Sequence, residues 1–255
     1  MEFIDTHSHL YLKDFDKDRD EVIQSGVSVG VTRILLPNID AQSITPLLDL
    51  CKNYPQICYP MIGLHPCSVK KDFKEVLQKI FVYFPEYQFI GVGEVGIDLY
   101  WDKTYLDEQK EALRIQIRFA LEHNLPVIIH KRQSYYETME VLDEFKGEKL
   151  KGIFHCYSGS LEHAKEIIDK GFLLGIGGTV TYKTSNLDTI LPDISLKHIV
   201  LETDAPFLSP VPHRGQRNQS PYINLVAKKI AEIKQVSIEE VAEQTTKNAV
   251  ELFSL

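Results

Sequence analysis

The chain has little that could staple, anchor or phosphate-tag it. Four cysteines, Cys51, Cys58, Cys67 and Cys156, form no CxxC pair. A chain of 255 residues needs no disulfide framework, so they read as free thiols, most simply buried filler. No uninterrupted apolar stretch is long enough to span a bilayer. The opening MEFIDTHSHL lacks the basic region and apolar run of a signal peptide, so a cytoplasmic protein without membrane contact is expected. Basic residues are in deficit, Lys+Arg 28 against Asp+Glu 36, a net charge of -8. The surface as a whole therefore does not attract nucleic acid or anionic lipid, and any phosphate affinity must be local. No GxGxxG follows the first apolar run, which speaks against a dinucleotide-binding sheet. No linker or low-complexity tract divides the chain.

What is present is an ordinary globular balance, 44% hydrophobic and 25% charged, with short β-rich apolar runs recurring along the chain. They fall at 3–5, 31–37, 57–64, 89–95, 126–130, 151–155, 172–178 and 198–204. Helical periodicity lies between them, as at 105–123, where Leu106, Leu113, Ile117, Ala120 and Leu121 make one apolar stripe. Strand and helix alternating in this way predict a parallel sheet covered on both faces. The missing nucleotide loop favours its closure into one α/β domain over 1–255, a (β/α)8 TIM-type barrel. The Pro-, Gly- and Arg-rich segment 209–221 reads as a loop after the eighth strand.

In such a barrel, chemistry gathers at the C-terminal ends of the strands. His7 and His9 are two apart at the end of the first strand, a spacing that puts both imidazoles on one face. Glu94 closes the fourth run, His130 the fifth and His155 the sixth, while Asp204 follows the eighth. A hydrogen-bonded core histidine or a capping carboxylate accounts for any one of these alone, but not for six at separate strand ends. Four imidazoles and two carboxylates exceed a single catalytic zinc site, which takes three protein ligands. Two divalent ions are implied, Mg, Mn or Zn, with no thiolate among the ligands to suggest redox chemistry.

The blocks HSHL at 7–10, GLHP at 63–66, GEVGID at 93–98, HCYSG at 155–159, ETDAP at 202–206 and RGQRN at 214–218 resemble the TatD family of metal-dependent deoxyribonucleases. The resemblance covers the whole chain. It implies a barrel, two divalent ions and hydrolysis of DNA, as a 3′-to-5′ exonuclease on single strands. By position it makes His7, His9, Glu94 and Asp204 ligands of one ion and Glu94, His130 and His155 ligands of the other, with Glu94 bridging. The chain departs from the family pattern after His130, where Gln133 and Ser134 stand in a stretch that often carries an acidic residue, and at Leu99, where an aromatic residue is common.

Glu94, Asp204 and His65 are the candidate catalytic groups. Two divalent ions less the charges of Glu94, Asp204 and a hydroxide leave about +1 locally, which draws an anion to the pocket alone. His65, after the third strand, is placed to contact a scissile phosphate or protonate a leaving oxygen. Arg132, Arg214 and Arg217 are candidate phosphate forks. Glu202 is a candidate to orient a ligand histidine, and Tyr100 and Trp101 could stack on a base. Competing readings are an amidohydrolase acting on a cyclic amide, ester or lactone, a small-molecule phosphoesterase, and a non-catalytic barrel. The first often carries a carboxylated lysine where this chain has Glu94, and the last sits poorly with an imidazole and carboxylate set. DNA is the expected partner, and no obligate protein partner is evident.

Overall fold

The computed structural model describes all residues from Met1 to Leu255. Eight parallel strands alternate with helices: β1 Phe3–Asp5, α1 Arg19–Ser28, β2 Val31–Leu36, α2 Ile44–Asn53, β3 Cys58–Pro60, α3 Phe73–Phe81, β4 Val92–Asp98, α4 Leu106–Glu122, β5 Val127–Arg132, α5 Tyr135–Asp143, β6 Gly152–Phe154, α6 Leu161–Asp169, β7 Phe172–Ile176, α7 Leu187–Ile190, β8 Ile199–Leu201, α8 Ile223–Lys234 and α9 Ile238–Phe253. The strands pair in the orders β1-β2-β3 and β4-β5-β6-β7-β8. Two seams join these arcs. At one, a parallel bridge pairs Ile62 with Val92; at the other, Ser8 pairs with Ala205, reinforced by Thr6 N–H donating to Leu201 O at 3.0 Å. The result is a closed (β/α)8 barrel. No helix is long and apolar enough to cross a membrane.

Alternation along each strand divides the apolar residues into two cores. Phe3, Ile34, Leu36, Ile129, Phe154, Leu174, Ile199 and Leu201 pack outward against the helices. Ile4, Leu35, Ile128, Ile153 and Val200 form a separate cluster with Leu252 and Phe253 of α9. This second cluster fills the barrel's lower interior. Moving two residues along a strand stays on the same face, so His130, His155 and Glu202 stand one layer above Ile128, Ile153 and Val200. The apolar layer below is the floor of a polar chamber.

Several ends differ from the sequence pattern. The fourth strand runs on to Asp98, so Glu94 lies inside it, and the fifth runs on to Arg132. The cause is a shared ladder: Gly96 pairs with His130, Ile97 with Lys131 and Asp98 with Arg132. Gly96 permits this with φ at +143°, where an added Cβ would lie 2.0 Å from the His130 carbonyl oxygen. The formal third and eighth strands are shorter than their apolar runs. His7 and His9 lie beyond β1, yet backbone pairing persists there, Asp204 N–H donating to His7 O and His9 N–H to Ala205 O. The segment expected as loop at 209–221 is loop as far as Gln219, and its last two residues enter a 3-10 turn, Ser220–Tyr222. Among the free cysteines only Cys58 is buried; Cys51 and Cys156 are half-buried and Cys67 is exposed, which corrects the expectation of uniform buried filler.

Gly96→Ala should lower the unfolding free energy by about 2–4 kcal/mol, because backbone strain and a clash with β5 add. A urea titration followed by circular dichroism measures it, with Gly147→Ala, where an added Cβ meets nothing within 4 Å, as the exposed comparison.

Candidate metal centre

The six residues singled out at the strand ends converge on one carboxylate. Glu94 is buried, and its two oxygens face different partners. Oε2 lies 3.2 Å from His7 Nε2 and 3.5 Å from His9 Nε2. Oε1 lies 2.6 Å from His130 Nδ1, 2.9 Å from His155 Nε2 and 3.4 Å from His65 Nε2. Asp204 Oδ1 completes the first set, 3.7 Å from both His7 Nε2 and His9 Nε2. Asp204 adopts a left-handed conformation, φ 59°, which aspartate tolerates better than most residues.

His9, His130 and His155 each have a polar group behind the ring, whereas His7 Nδ1 is buried without a hydrogen-bond partner. His9 Nδ1 lies 2.8 Å from the hydroxyl of Tyr11, and that hydroxyl donates to Pro37 O at 2.6 Å. With its proton spent on Pro37, Tyr11 can only accept from His9, so Nδ1 carries the hydrogen and a neutral Nε2 presents its lone pair to the site. His130 Nε2 is 2.9 Å from Asp98 Oδ2, which leaves Nδ1 facing Glu94. His155 Nδ1 lies 3.5 Å from Glu202 Oε1, and the same oxygen accepts from Cys156 N–H at 2.6 Å. Gly175 makes room for that carboxylate, since a Cβ there would sit 2.2 Å from Glu202 Oε2. His65 is turned the other way. Its Nδ1 accepts from Cys67 N–H, so Nε2 must carry the hydrogen and points a donor, not a lone pair, at the site.

Electrostatics follow from burial and neighbours. Burial alone would raise the Glu94 carboxyl, but His155, His65 and His7 hold it well below the usual range. Burial works against charge on His155, yet Glu94 and Glu202 hold its imidazole well above the ordinary value. For His7, burial and the adjacent His155, stacked at 3.9 Å, push the other way. Burial drives Asp204 up to about 7 against the pull of His155 and His9.

This donor set fits divalent cations. Asp5, Glu94, Asp98, Glu202 and Asp204 are all buried, and no lysine or arginine is buried with them. Donor atoms of His7, His9 and Glu94, and of His7, His155 and Asp204, lie within 4.8 Å of one another. His7 Nε2 and His9 Nε2 are only 3.1 Å apart. Converging imidazole lone pairs and carboxylates, without thiolate, suit a hydrolytic ion such as Zn, Mn or Mg.

The other candidates sit around the rim. Arg132 is exposed and stacks over Tyr100 at 3.8 Å, with Trp101 beyond at 5.4 Å. Arg214 lies over Tyr182 at 4.6 Å. Arg217 has its fork engaged by Asp18, at 2.8 and 2.6 Å, and donates to Asp14 O. Sequence reasoning missed Tyr11 and Asp98. Asp98 carries a period-two signal, four residues after Glu94 on the same strand face, whereas Tyr11 lies in the turn beyond β1 and carries none.

Fold and centre together define a barrel hydrolase of the metal-dependent kind. The model of the family described as TatD related DNase matches residues 4–254, and the chain belongs to this family of metal-dependent hydrolases. It is 38% identical over 252 residues, 98% of both chains, to the uncharacterized metal-dependent hydrolase YabD of Bacillus subtilis. It is 32% identical to the uncharacterized metal-dependent hydrolase MJ1582 of Methanocaldococcus jannaschii, over 99% of this chain and 97% of that one. The crystal structure of the TatD homologue YjjV from Escherichia coli superposes with a TM-score of 0.92 at 29% identity, covering 99% of this chain and 98% of that one.

Tyr11→Phe removes one hydroxyl and with it the hold on His9. Affinity for a divalent ion, measured by calorimetry on chelator-stripped protein, should fall about 10- to 100-fold with the circular dichroism spectrum unchanged. Unaltered affinity would mean that packing alone orients the ring.

Proposed function

We propose that this protein is a two-metal phosphodiesterase that removes nucleotides from the 3′ end of single-stranded DNA. The observation that carries the reading is the division of Glu94: one oxygen faces His7 and His9, the other His130 and His155. In this reading His7, His9, Glu94 and Asp204 hold one ion, and Glu94, His130 and His155 hold the other. When bound, the ions supply an activated water and positive charge for a phosphoryl oxygen. The chain supplies the rest. Tyr11, Asp98 and Glu202 orient His9, His130 and His155. His65 presents a protonated Nε2 beside Glu94, where it donates to a phosphate oxygen or to the leaving oxygen. Arg132 and Arg214, whose guanidinium groups stack on rim tyrosines, are free to pair with phosphates further out. Arg217 is held by Asp18 and is the weakest of the three for that task. Support for DNA comes from the family's description, and a site at a barrel mouth admits a flexible end more readily than a duplex.

Hydrolysis of a 3′-labelled single strand should stop on exhaustive chelation and return with added Mg, Mn or Zn. A covalently closed single-stranded circle should resist under conditions that consume the matched linear strand; equal cutting of both would refute attack from an end. Persistent turnover at near-zero metal content would refute the metal mechanism.

His65→Ala should slow DNA hydrolysis roughly 10²–10⁴-fold while leaving metal content intact, if His65 protonates the leaving oxygen. A p-nitrophenyl phosphodiester, whose leaving group departs unprotonated, should then show a much smaller defect. Equal defects on both substrates would assign His65 to phosphate positioning.

A further inference from the structure

The rim of the barrel is electrically divided. On the β1 and β2 side, a cleft of about 730 Å³ is lined by Asp14, Asp16, Asp20, Asp40 and Asp49, against only Lys13 and Arg19. Arg19 is already engaged, donating to Asp16 and to the carbonyls of Leu10 and Leu12. On the opposite side, between the segments that follow β5 and β6, a second cleft of about 550 Å³ is lined by Lys131, Arg132, Ser158, Ser160 and His163, with Glu137 its one acid. Lys131 and Arg132 directly follow His130 on β5, so this cleft lies beside the strand that carries His130 to the metal centre.

Aromatic rings flank the cationic cleft and face water. Trp101 is 70% exposed and Tyr136 is 76% exposed. Each belongs to its own stacked group. Tyr100 packs edge-on to Trp101 and lies under Arg132; across the cleft Tyr136 packs edge-on to Tyr135 and His163, themselves stacked at 3.6 Å. Exposed rings of this size are not explained by packing, and the supports beneath them hold them upright. Alternating cations and aromatic faces are what a single-stranded nucleic acid requires: phosphates pair with the cations while unstacked bases lie on the rings. A duplex hides its bases and gains nothing from Tyr136.

We infer that the cleft between the β5 and β6 segments, lined by Lys131, Arg132 and Tyr136 with Trp101 beside Arg132, is a binding track for the single strand that leads away from the metal centre. The acidic cleft opposite repels the same polyanion, so the strand crosses the mouth in one direction only. The track rests on the phosphodiesterase reading for its purpose. Its recognition chemistry stands on the cleft alone, and binding is measured without turnover.

The test is fluorescence anisotropy of the metal-loaded protein with a labelled eight-nucleotide single strand whose 3′-terminal linkages are phosphorothioates. Tyr136→Ala should weaken binding about 5- to 100-fold, the loss of one stacked base. Lys131→Gln should reduce the slope of log affinity against log salt by about 0.7, the loss of one phosphate contact. Asp49→Ala in the acidic cleft should not weaken binding. Tyr136→Ala binding as tightly as wild type, with the salt slope of Lys131→Gln unchanged, would overturn the track. Hydrolysis of bis-p-nitrophenyl phosphate by the wild type, measured in parallel, reports on the phosphodiesterase reading; its failure with the binding pattern intact would overturn that reading and leave the track standing.

Discussion

Five buried carboxylates with no buried lysine or arginine are the constraint from which the rest of the site follows. A carboxylate removed from water without a partner costs about several kcal/mol even after relaxation, so each must find positive charge or donated hydrogens. Asp5 finds hydrogens: Thr203 N–H, the Thr203 hydroxyl and the Ser220 hydroxyl all donate to it. Burial still pushes it up to about 7. Asp98 finds His130 and the Tyr100 amide. Glu202 finds the Cys156 amide and His155. Glu94 and Asp204 face only imidazoles, which have lone pairs to give as well as protons. That is the arrangement a divalent cation stabilises most.

The barrel makes this concentration possible because its parallel strands deliver their charged residues to the same end. Ile4, Leu35, Ile128, Ile153 and Val200 form a dry floor, and the next inward layer is polar. The Asp5 cluster ties β1, the segment after β8 and the turn before α8 together beneath the histidines, and so fixes the seam from which both His7 and Asp204 project. The low dielectric below strengthens each interaction above it. Rigidity here serves the site more than the fold, since an ion is sensitive to ligand spacing that a hydrophobic contact would tolerate.

Much of this was legible in the sequence. The alternation of β and helical runs predicts the barrel, and the strand-end rule selects His7, His9, Glu94, His130, His155 and Asp204, which the fold brings around one carboxylate. Glu202 is also visible, two residues before Asp204. What escaped depends on hydrogen-bond direction and on ladder length. Tyr11 looks like core filler until its hydroxyl is seen to donate to the carbonyl of Pro37, just beyond β2. Asp98 looks like a loop residue because the apolar run ends before it; only the pairing with β5 extends the strand. Arg217 reads as a phosphate fork until Asp18, nearly two hundred positions away, is seen to occupy it. Tyr136 escaped because an exposed tyrosine at a helix start has no sequence signature.

In the proposed two-ion arrangement Glu94 is shared between the ions, its negative charge offsetting their repulsion. Glu94→Gln keeps the size of the side chain and removes the charge. Metal content after gel filtration, measured by mass spectrometry alongside circular dichroism, is the direct test. Two ions per chain are expected in the wild type, and both should be lost together in the folded variant. A variant that retains two ions and near-normal hydrolysis would contradict the arrangement.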